Sequence, residues 1–399
     1  MEPLLVKKHE KYFRMCLMSL PAKAQSEDSN KLAIIYFCVH GLDLLGKLNF
    51  TPTEQEQYSE FIYDHIINET IGNEEIQAFR PSQTFKLNKI DGTSSSPSYD
   101  LPNLAATFFG LITLLALNSN YGENDKIDRH KIMKFVSMLQ LKDGPNKGGF
   151  KPVLGVDRTP FGECDLRHCY TALCIRKLLK YDELSKDDRK YDIDIDSIQK
   201  FLSDRISVNG GLSSNKYTEP HSGLTFCGIA ALKLSGYDFK GNQSNWVDQT
   251  INWLVHRQVD YPSSVESYAT EDYYYWDSND IGGFNGRENK FGDTCYSWWC
   301  TASLKILCGN QGLQLIDSNA AQKYLLDNTQ NKLIGGFGKD GETFPDPLHS
   351  FLALASLSMW KNSINSSFEV DGNSELGNID ELLVISSGSK DFLDKVIYI

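Results

Sequence analysis

Residues Gly282 to Trp299 read Gly-Gly-Phe-Asn-Gly-Arg-Glu-Asn-Lys-Phe-Gly-Asp-Thr-Cys-Tyr-Ser-Trp-Trp. The order is a glycine turn, a polar loop, a helix start and an apolar run. Asp293 is a favoured N-cap, and the apolar stretch from Trp298 to Leu307 follows it at once. The same order recurs at Gly148-Gly149-Phe150, Gly210-Gly211-Leu212 and Gly335-Gly336-Phe337. After each pair comes a polar loop of roughly 10–17 residues and then an apolar helix. Those helices are expected to begin at Asp165, Glu219 and Asp346. A helical stretch ending in Gln140, Gln258 or Gln330 precedes three of the four pairs. The unit is helix, glycine turn, loop, helix, with a period of about 50–70 residues, which signals stacked helical hairpins.

Further helices are expected over Leu32 to Leu45, over Leu104 to Leu117 and around Tyr58 to Asn68. Strand-like alternation is scarce. Such hairpins can stack as an open solenoid or close into a ring. The second helix of each unit is apolar over most of its faces, as in Leu224 to Leu232, and a helix apolar all round is buried. That favours an inner ring of helices inside an outer ring, an all-α, α/α toroid. It is read as one domain over residues 1–362, with a Tyr-rich acidic insertion at about 260–280 and a Ser-rich stretch from Lys89 to Tyr99. Residues 363–399 read as a polar C-terminal tail that carries one short apolar piece, Leu382-Leu383-Val384-Ile385.

The chain has 399 residues and a formal net charge of −12, which argues against general nucleic-acid binding. Nine cysteines is an odd number, and several lie in helical apolar runs, so they read as reduced thiols of a cytoplasmic protein. The apolar run Leu104 to Leu117 is too short to span a bilayer, and no stable membrane insertion is expected.

The starts of the second helices carry the chemistry. Asp293, Cys295 and His349 offer an oxygen, a sulfur and a nitrogen donor. Zinc takes such ligands and is normally four-coordinate, so three protein ligands leave a position open. Asp293 and Cys295 can converge only if Asp293 sits at the helix entrance, since two residues apart on a helix they would face different ways. Arg287 and Lys290 could hold a phosphate beside the metal. A lone buried Cys is usually a small hydrophobe, so the weight lies with the cluster. In a ring of parallel inner helices these first turns gather at one mouth, where free N–H groups favour an anion. Tyr36, Phe37, Phe108, Tyr170 and Trp299 would line an aromatic cavity further in.

These residues resemble a family. The four Gly-Gly repeats, the run Gly286-Arg287-x-x-Lys290-x-x-Asp293-x-Cys295-Tyr296 and the segment Asp346-Pro347-Leu348-His349 look like the β subunit of a protein prenyltransferase, over roughly Ser29 to Trp360. The resemblance implies an α/α toroid that pairs with a helical-repeat α subunit and attaches an isoprenoid to a protein's C-terminal cysteine. It implies that Asp293, Cys295 and His349 bind one zinc ion, with the substrate cysteine as fourth ligand. His221, Arg287, Lys290 and Tyr296 resemble the diphosphate-binding set, and Arg167, Tyr170 and Trp299 match positions lining the isoprenoid channel.

Two positions bear on the subtype. Farnesyltransferases carry Trp where this chain has Ala33, and a small residue there would admit a 20-carbon chain. Ten positions before the zinc histidine, farnesyltransferases have an Asp that helps bind magnesium; here it is Lys339. A fixed ammonium could replace magnesium, so none is expected to be required. The resemblance therefore implies a type I geranylgeranyltransferase acting on small GTPases, such as Rho-type proteins, with a CaaX terminus ending in a Leu-like residue. The farnesyltransferase and the Rab-type enzyme, which shares the small residue but keeps the acid, are the alternatives. His168 departs from the type I pattern, which tends to have Phe there. Two readings of other classes are a ring-shaped glycosidase, which needs two facing acids, and a non-catalytic toroid with a structural metal, which needs a fourth protein ligand.

Overall fold

The computed structural model describes residues 1–20, 22–86, 99–119, 121–123, 125–239, 245–260, 277–361, 368–372, 375–396 and 398. Most of the insertion expected at 260–280, most of the Ser-rich stretch and part of the expected tail lie outside these residues.

Six helices form the inner layer: α2 (Lys31–Leu44), α4 (Leu104–Ala116), α6 (Leu166–Leu178), α8 (Ser222–Leu234), α10 (Thr294–Cys308) and α12 (Pro347–Trp360). Each packs on the next, and α12 packs on α2, so the ring closes. The outer layer is α1 (Val6–Met18), α3 (Pro52–Tyr63), α5 (Arg129–Leu139), α7 (Ile195–Ser203), α9 (Trp246–Val255) and α11 (Ser318–Lys323), the last running on into a wider π-turn over Tyr324–Thr329. The composition of the layers explains the split. Every side chain of α12 from Ser350 to Trp360 is buried, whereas α7 buries one stripe, Ile198, Phe201 and Leu202. No helix among the described residues is long and apolar enough to cross a membrane.

The inner helices all start at the same end. The first-turn N–H groups of Leu32, Leu104, Ser222 and Thr294 donate to Pro81, Pro152, Gly286 and Lys339, each in the loop that leads to the following inner helix. Unsatisfied N-terminal donors thus become the links between neighbouring hairpins.

The glycine turns and the glutamines set the outer layer. The Gln140 side chain donates to the Asp194 carbonyl at 3.0 Å and accepts from the Asp194 N–H at 2.9 Å, which clamps the start of α7. Gln258 does the same to Asp317 before α11. Gln330 repeats it on the chain's own beginning, donating to Pro3 at 3.1 Å and accepting from Leu5 at 3.0 Å before α1. The sixth hairpin is therefore sealed to the first by the device that joins its predecessors. Gly335 lies at this seam with φ +82°, and a Cβ there would stand 2.2 Å from the Lys8 carbonyl oxygen. Gly335→Ala is expected to lose at least about 2 kcal/mol of stability, from backbone strain and overpacking together. Urea denaturation would measure it, and an unchanged midpoint would contradict this account of the seam.

Three sequence expectations need correction. The helix placed around Tyr58 to Asn68 ends at Tyr63; Ile66–Ile71 then pairs antiparallel with Glu74–Phe79 as the hairpin β1–β2. Its β-branched residues and the Gly72-Asn73 turn favour strands. The helix expected to start at Glu219 is capped two residues later, by His221. Finally, the chain beyond residue 375 is no solvated tail. Two short strands, Ile379–Asp380 and Ile385–Ser386, and helix α13 (Ser387–Lys395) lie against the C-terminal ends of the inner helices, with Leu376, Leu383, Ile385 and Leu393 buried. The apolar piece noted in the sequence is what docks them.

Candidate active site

Asp293 caps α10 by accepting from the Cys295 N–H at 2.9 Å. Asp346 caps α12 by accepting from the His349 N–H at 3.0 Å. The two helix entrances are neighbours, because Thr294 donates to the Lys339 carbonyl at 2.8 Å and its hydroxyl to the Gly338 carbonyl at 2.7 Å. The ligand atoms of Asp293, Cys295 and His349 consequently lie within 4.8 Å of one another. His349 Nε2 is 3.2 Å from Asp293 Oδ1. Among the described residues no other group of three such donors forms.

The electrostatics of the trio suit a cation. Burial disfavours the charged His349 ring, yet the Asp293 and Asp346 carboxylates outweigh that and hold its pKa well above the usual imidazole range. Burial pushes the Cys295 thiol up, and the Asp293 charge adds to this. A divalent ion held by these three residues would supply the charge that lets a carboxylate and a thiolate share this buried space. Asp346 completes the arrangement. Its Oδ2 lies 2.5 Å from His349 Nδ1, so Nδ1 carries the proton and Nε2 faces the other two donors. The sequence showed Asp346 only as a cap. Its orienting role could have been suspected from the Asp-x-x-His spacing.

Beside the trio lies a cleft of about 740 Å³ lined by His221, Arg287, Lys290, Tyr296, Lys339 and Asp293, among others. His221 Nδ1 accepts from the Gly223 N–H at 3.1 Å. The ring proton is then on Nε2, which donates to the Tyr296 hydroxyl at 3.1 Å. Burial, with Arg287 and Arg167 nearby, lowers the His221 pKa and keeps the ring neutral. Gly286 sets the Tyr296 ring: a Cβ there would stand 2.3 Å from the tyrosine Cζ, so only glycine allows the loop to lie on the ring. Arg287 rests on Glu219 at 3.2 Å, both about half exposed. Glu219, which the sequence suggested as a cap, is thus a cleft residue that holds an arginine. Lys339 is exposed into this cleft.

Arg167, whose charge acts on His221, is not among the residues that line the cleft. It is bound to Asp165 at the start of α6, with Nη2 2.5 Å from Oδ2. Trp299, Tyr170, Phe108 and Phe37 belong to one aromatic path. Ring centroids follow at 5.0 Å from Trp299 to Phe226, 5.5 Å to Tyr170, 6.3 Å to Phe108, 6.0 Å to Tyr36 and 5.0 Å to Phe37. The structure adds Phe226, Phe109 and Phe351, which the sequence does not single out. Ala33 lies one turn before Phe37 on α2. Ala33, Phe37, Phe109, Leu224 and Trp299 remain half-buried although their helices are the innermost of the molecule. Residual exposure on innermost helices marks a lumen, and its wall is apolar and aromatic.

The prenyltransferase alpha-alpha toroid domain family matches residues 4–385. This chain belongs to that family. The geranylgeranyl transferase type-1 β subunit of Dictyostelium discoideum is 30% identical over 366 residues, covering 87% of this chain and 88% of that protein. Its counterpart from Arabidopsis thaliana is 28% identical over 373 residues, 88% of this chain and 84% of the other. The Candida albicans protein geranylgeranyltransferase-I, solved in complex with GGPP, superposes with a TM-score of 0.86 at 46% identity, with full coverage of both chains. The toroid is thus a prenyltransferase β subunit of the type 1 geranylgeranyl kind, and its fold matches that of the solved Candida albicans enzyme.

Proposed function

We propose that this chain is the catalytic β subunit of a zinc-dependent type I protein geranylgeranyltransferase. Paired with an α subunit, it would transfer the 20-carbon group of geranylgeranyl diphosphate to the cysteine of a C-terminal CaaX sequence ending in a Leu-like residue, on Rho-type and similar small GTPases. The observation that carries this is the placement of an oxygen, sulfur and nitrogen trio within 4.8 Å, against a cleft that collects two lysines, an arginine, a neutral histidine and a tyrosine.

Zinc at Asp293, Cys295 and His349 supplies a Lewis acid that favours the thiolate form of the substrate cysteine. This chain's residues supply the rest. In the transfer a carbon–sulfur bond forms at the first isoprenoid carbon while the carbon–oxygen bond to diphosphate breaks. The bonding electrons leave on the diphosphate, and the thiol proton passes to solvent. Arg287, Lys290 and Lys339, which line one cleft, would receive the growing negative charge. His221 Nε2–H and the Tyr296 hydroxyl are neutral donors in the same cleft, already oriented before any charge develops. Asp346 keeps His349 in the tautomer that presents Nε2. The aromatic path gives the lipid chain a dry wall.

Ala33 beside Phe37 and Lys339 in the cleft support the geranylgeranyl over the farnesyl reading. The test is reconstitution with a prenyltransferase α subunit and comparison of 15- and 20-carbon diphosphates with a peptide ending in Leu. Preference for the 15-carbon donor would move the assignment to a farnesyltransferase.

Lys339 gives a separate prediction. The unmodified enzyme is expected to need zinc and to gain little from millimolar magnesium. Lys339→Asp is expected to slow transfer about 10²-fold without magnesium and to recover part of that with it, because a cation facing the leaving group is replaced by an anion until a divalent ion binds. Transfer rate against magnesium concentration at fixed zinc measures this. Strong magnesium activation of the unmodified enzyme would remove the role given to Lys339.

A further inference from the structure

The four glycine hairpins differ in how they hold the residue just before the cap of the second helix. That residue is Cys164, Pro220, Gly292 or Pro345, ahead of Asp165, His221, Asp293 and Asp346. A proline there fixes φ and leaves no N–H to satisfy. Gly292 does the opposite. It has the freest backbone of any residue and a buried N–H, directly before the proposed metal ligand Asp293. That N–H donates to Asp280 Oδ2 at 2.8 Å.

Asp280 departs from the repeat as well. It stands two positions before the Gly282-Gly283 pair, where the other hairpins have Asn146, Val208 and Leu333. Val208 is 89% exposed and Leu333 87%, as suits a surface turn, and the Asn146 side chain accepts from Arg205 at 2.6 Å. Asp280 is only 5% exposed. An acid is costly to bury unless its oxygens are bonded, and here the bond comes from Gly292. The next N–H along, that of Asp293, donates to the Phe284 carbonyl at 2.9 Å. Two consecutive N–H groups are therefore fixed where the chain passes from Lys290, in the cleft, to Asp293, in the metal trio. Space is tight too: a Cβ on Gly292 would stand 3.2 Å from Asp280 Oδ1 and 3.3 Å from the Tyr324 hydroxyl.

We propose that Asp280 is a positioning residue for both halves of the site: its carboxylate pins Gly292 and so sets Asp293 towards the metal and Lys290 towards the diphosphate. The proposal rests on the prenyltransferase reading above. A hydrogen bond to a glycine here takes the place of the proline lock found before His221 and Asp346. Asp280 is not among the residues that line the cleft, so it acts through the backbone of the loop. One residue then governs two affinities, unlike Cys295, whose loss leaves donor binding intact.

The experiment uses the full heterodimer and measures zinc affinity by chelator competition, equilibrium binding of geranylgeranyl diphosphate, and the unfolding temperature. Asp280→Ala is expected to weaken zinc binding about tenfold and donor binding about threefold, since one hydrogen bond that orders both is lost. Asp280→Asn keeps an oxygen acceptor for Gly292 and is expected to stay within about twofold of the unmodified enzyme in both. Gly148→Ala strains the corresponding turn of the first hairpin, where a Cβ would stand 2.1 Å from the Ser197 carbonyl oxygen. It is expected to lower the unfolding temperature and leave both affinities unchanged. Unchanged affinity for either ligand in Asp280→Ala overturns the proposal. So does an equal loss in Asp280→Asn, which would assign the effect to charge, or in Gly148→Ala, which would assign it to general stability. If Asp280→Ala does not fold, Asp280→Leu, which fills the space without an acceptor, decides in its place. Failure of the unmodified heterodimer to bind zinc or the donor would instead overturn the function on which the proposal rests.

Discussion

Cys295→Ala is expected to lose the zinc ion and to slow transfer by about 10³-fold, with His349→Ala close behind. A free thiol has a pKa near 8.5, so only a few per cent of the substrate cysteine is thiolate at neutral pH. Loss of the metal costs that activation, roughly 30-fold, and also the positioning of sulfur against carbon, worth about 10²-fold or more. Binding of the isoprenoid diphosphate should survive, because His221, Arg287, Lys290 and Tyr296 form their cleft without help from the thiol. Metal analysis and equilibrium donor binding separate the two effects. Asp346→Asn is the finer test. It keeps the cap on α12 but weakens the hold on His349 Nδ1, so metal affinity should drop about 10–100-fold while donor binding stays the same. A fully active, zinc-free Cys295→Ala protein would end the metal assignment.

Ala33→Trp is expected to invert donor choice, moving the 20- to 15-carbon preference by about 10²-fold. Ala33 is half-buried on the innermost layer, one turn from Phe37, whose ring lies 6.1 Å from both Phe109 and Phe351. An indole at Ala33 would project into the space these rings border. Exclusion by a clash is surer than weakening by a lost contact, which is why the larger residue makes the better probe. The readout is the ratio of transfer rates with the two donors at fixed peptide. If Ala33→Trp keeps the ratio of the unmodified enzyme, Ala33 does not border the lipid, and Lys339 is left as the site residue that speaks for the subtype beside the likeness to type 1 relatives.

The reading of the site and the reading of the fold drew on different signals. Asp293, Cys295 and His349 were legible because each sits at a helix entrance that local chemistry marks, with an Asp cap and, for α12, a proline at the first position. Two caps with donors in the first turn need only be brought together. The cap at His221 was misplaced because Glu-Pro-His offers three plausible starts, and the choice was made by the hydrogen bond from the Gly223 N–H. The hairpin β1–β2 was missed because its strands follow a helix directly and the apolar pattern carries across the boundary. The C-terminal segment was read as a tail because most of its residues are polar. Its partners are distant in the chain: the Val384 carbonyl accepts from Tyr36 and the Leu382 carbonyl from Tyr170.

By itself the sequence determined what local interactions determine. It gave the period of the hairpins, the apolar-all-round character of the inner helices, the glycine turns and the donor types at the helix starts. Each of these is set within a few residues by backbone sterics, capping and side-chain periodicity. Tertiary structure alone decided closure, register and depth. That six hairpins make a ring follows from Gln330 clamping the start of α1. That Lys339 faces the cleft follows from Thr294 holding its backbone beside Asp293. That the C-terminal segment docks on the ring follows from a turn near the C-terminus meeting tyrosines on two separate helices. These are contacts between residues far apart in the chain, and no local pattern encodes which distant partner a hydroxyl or an amide will find.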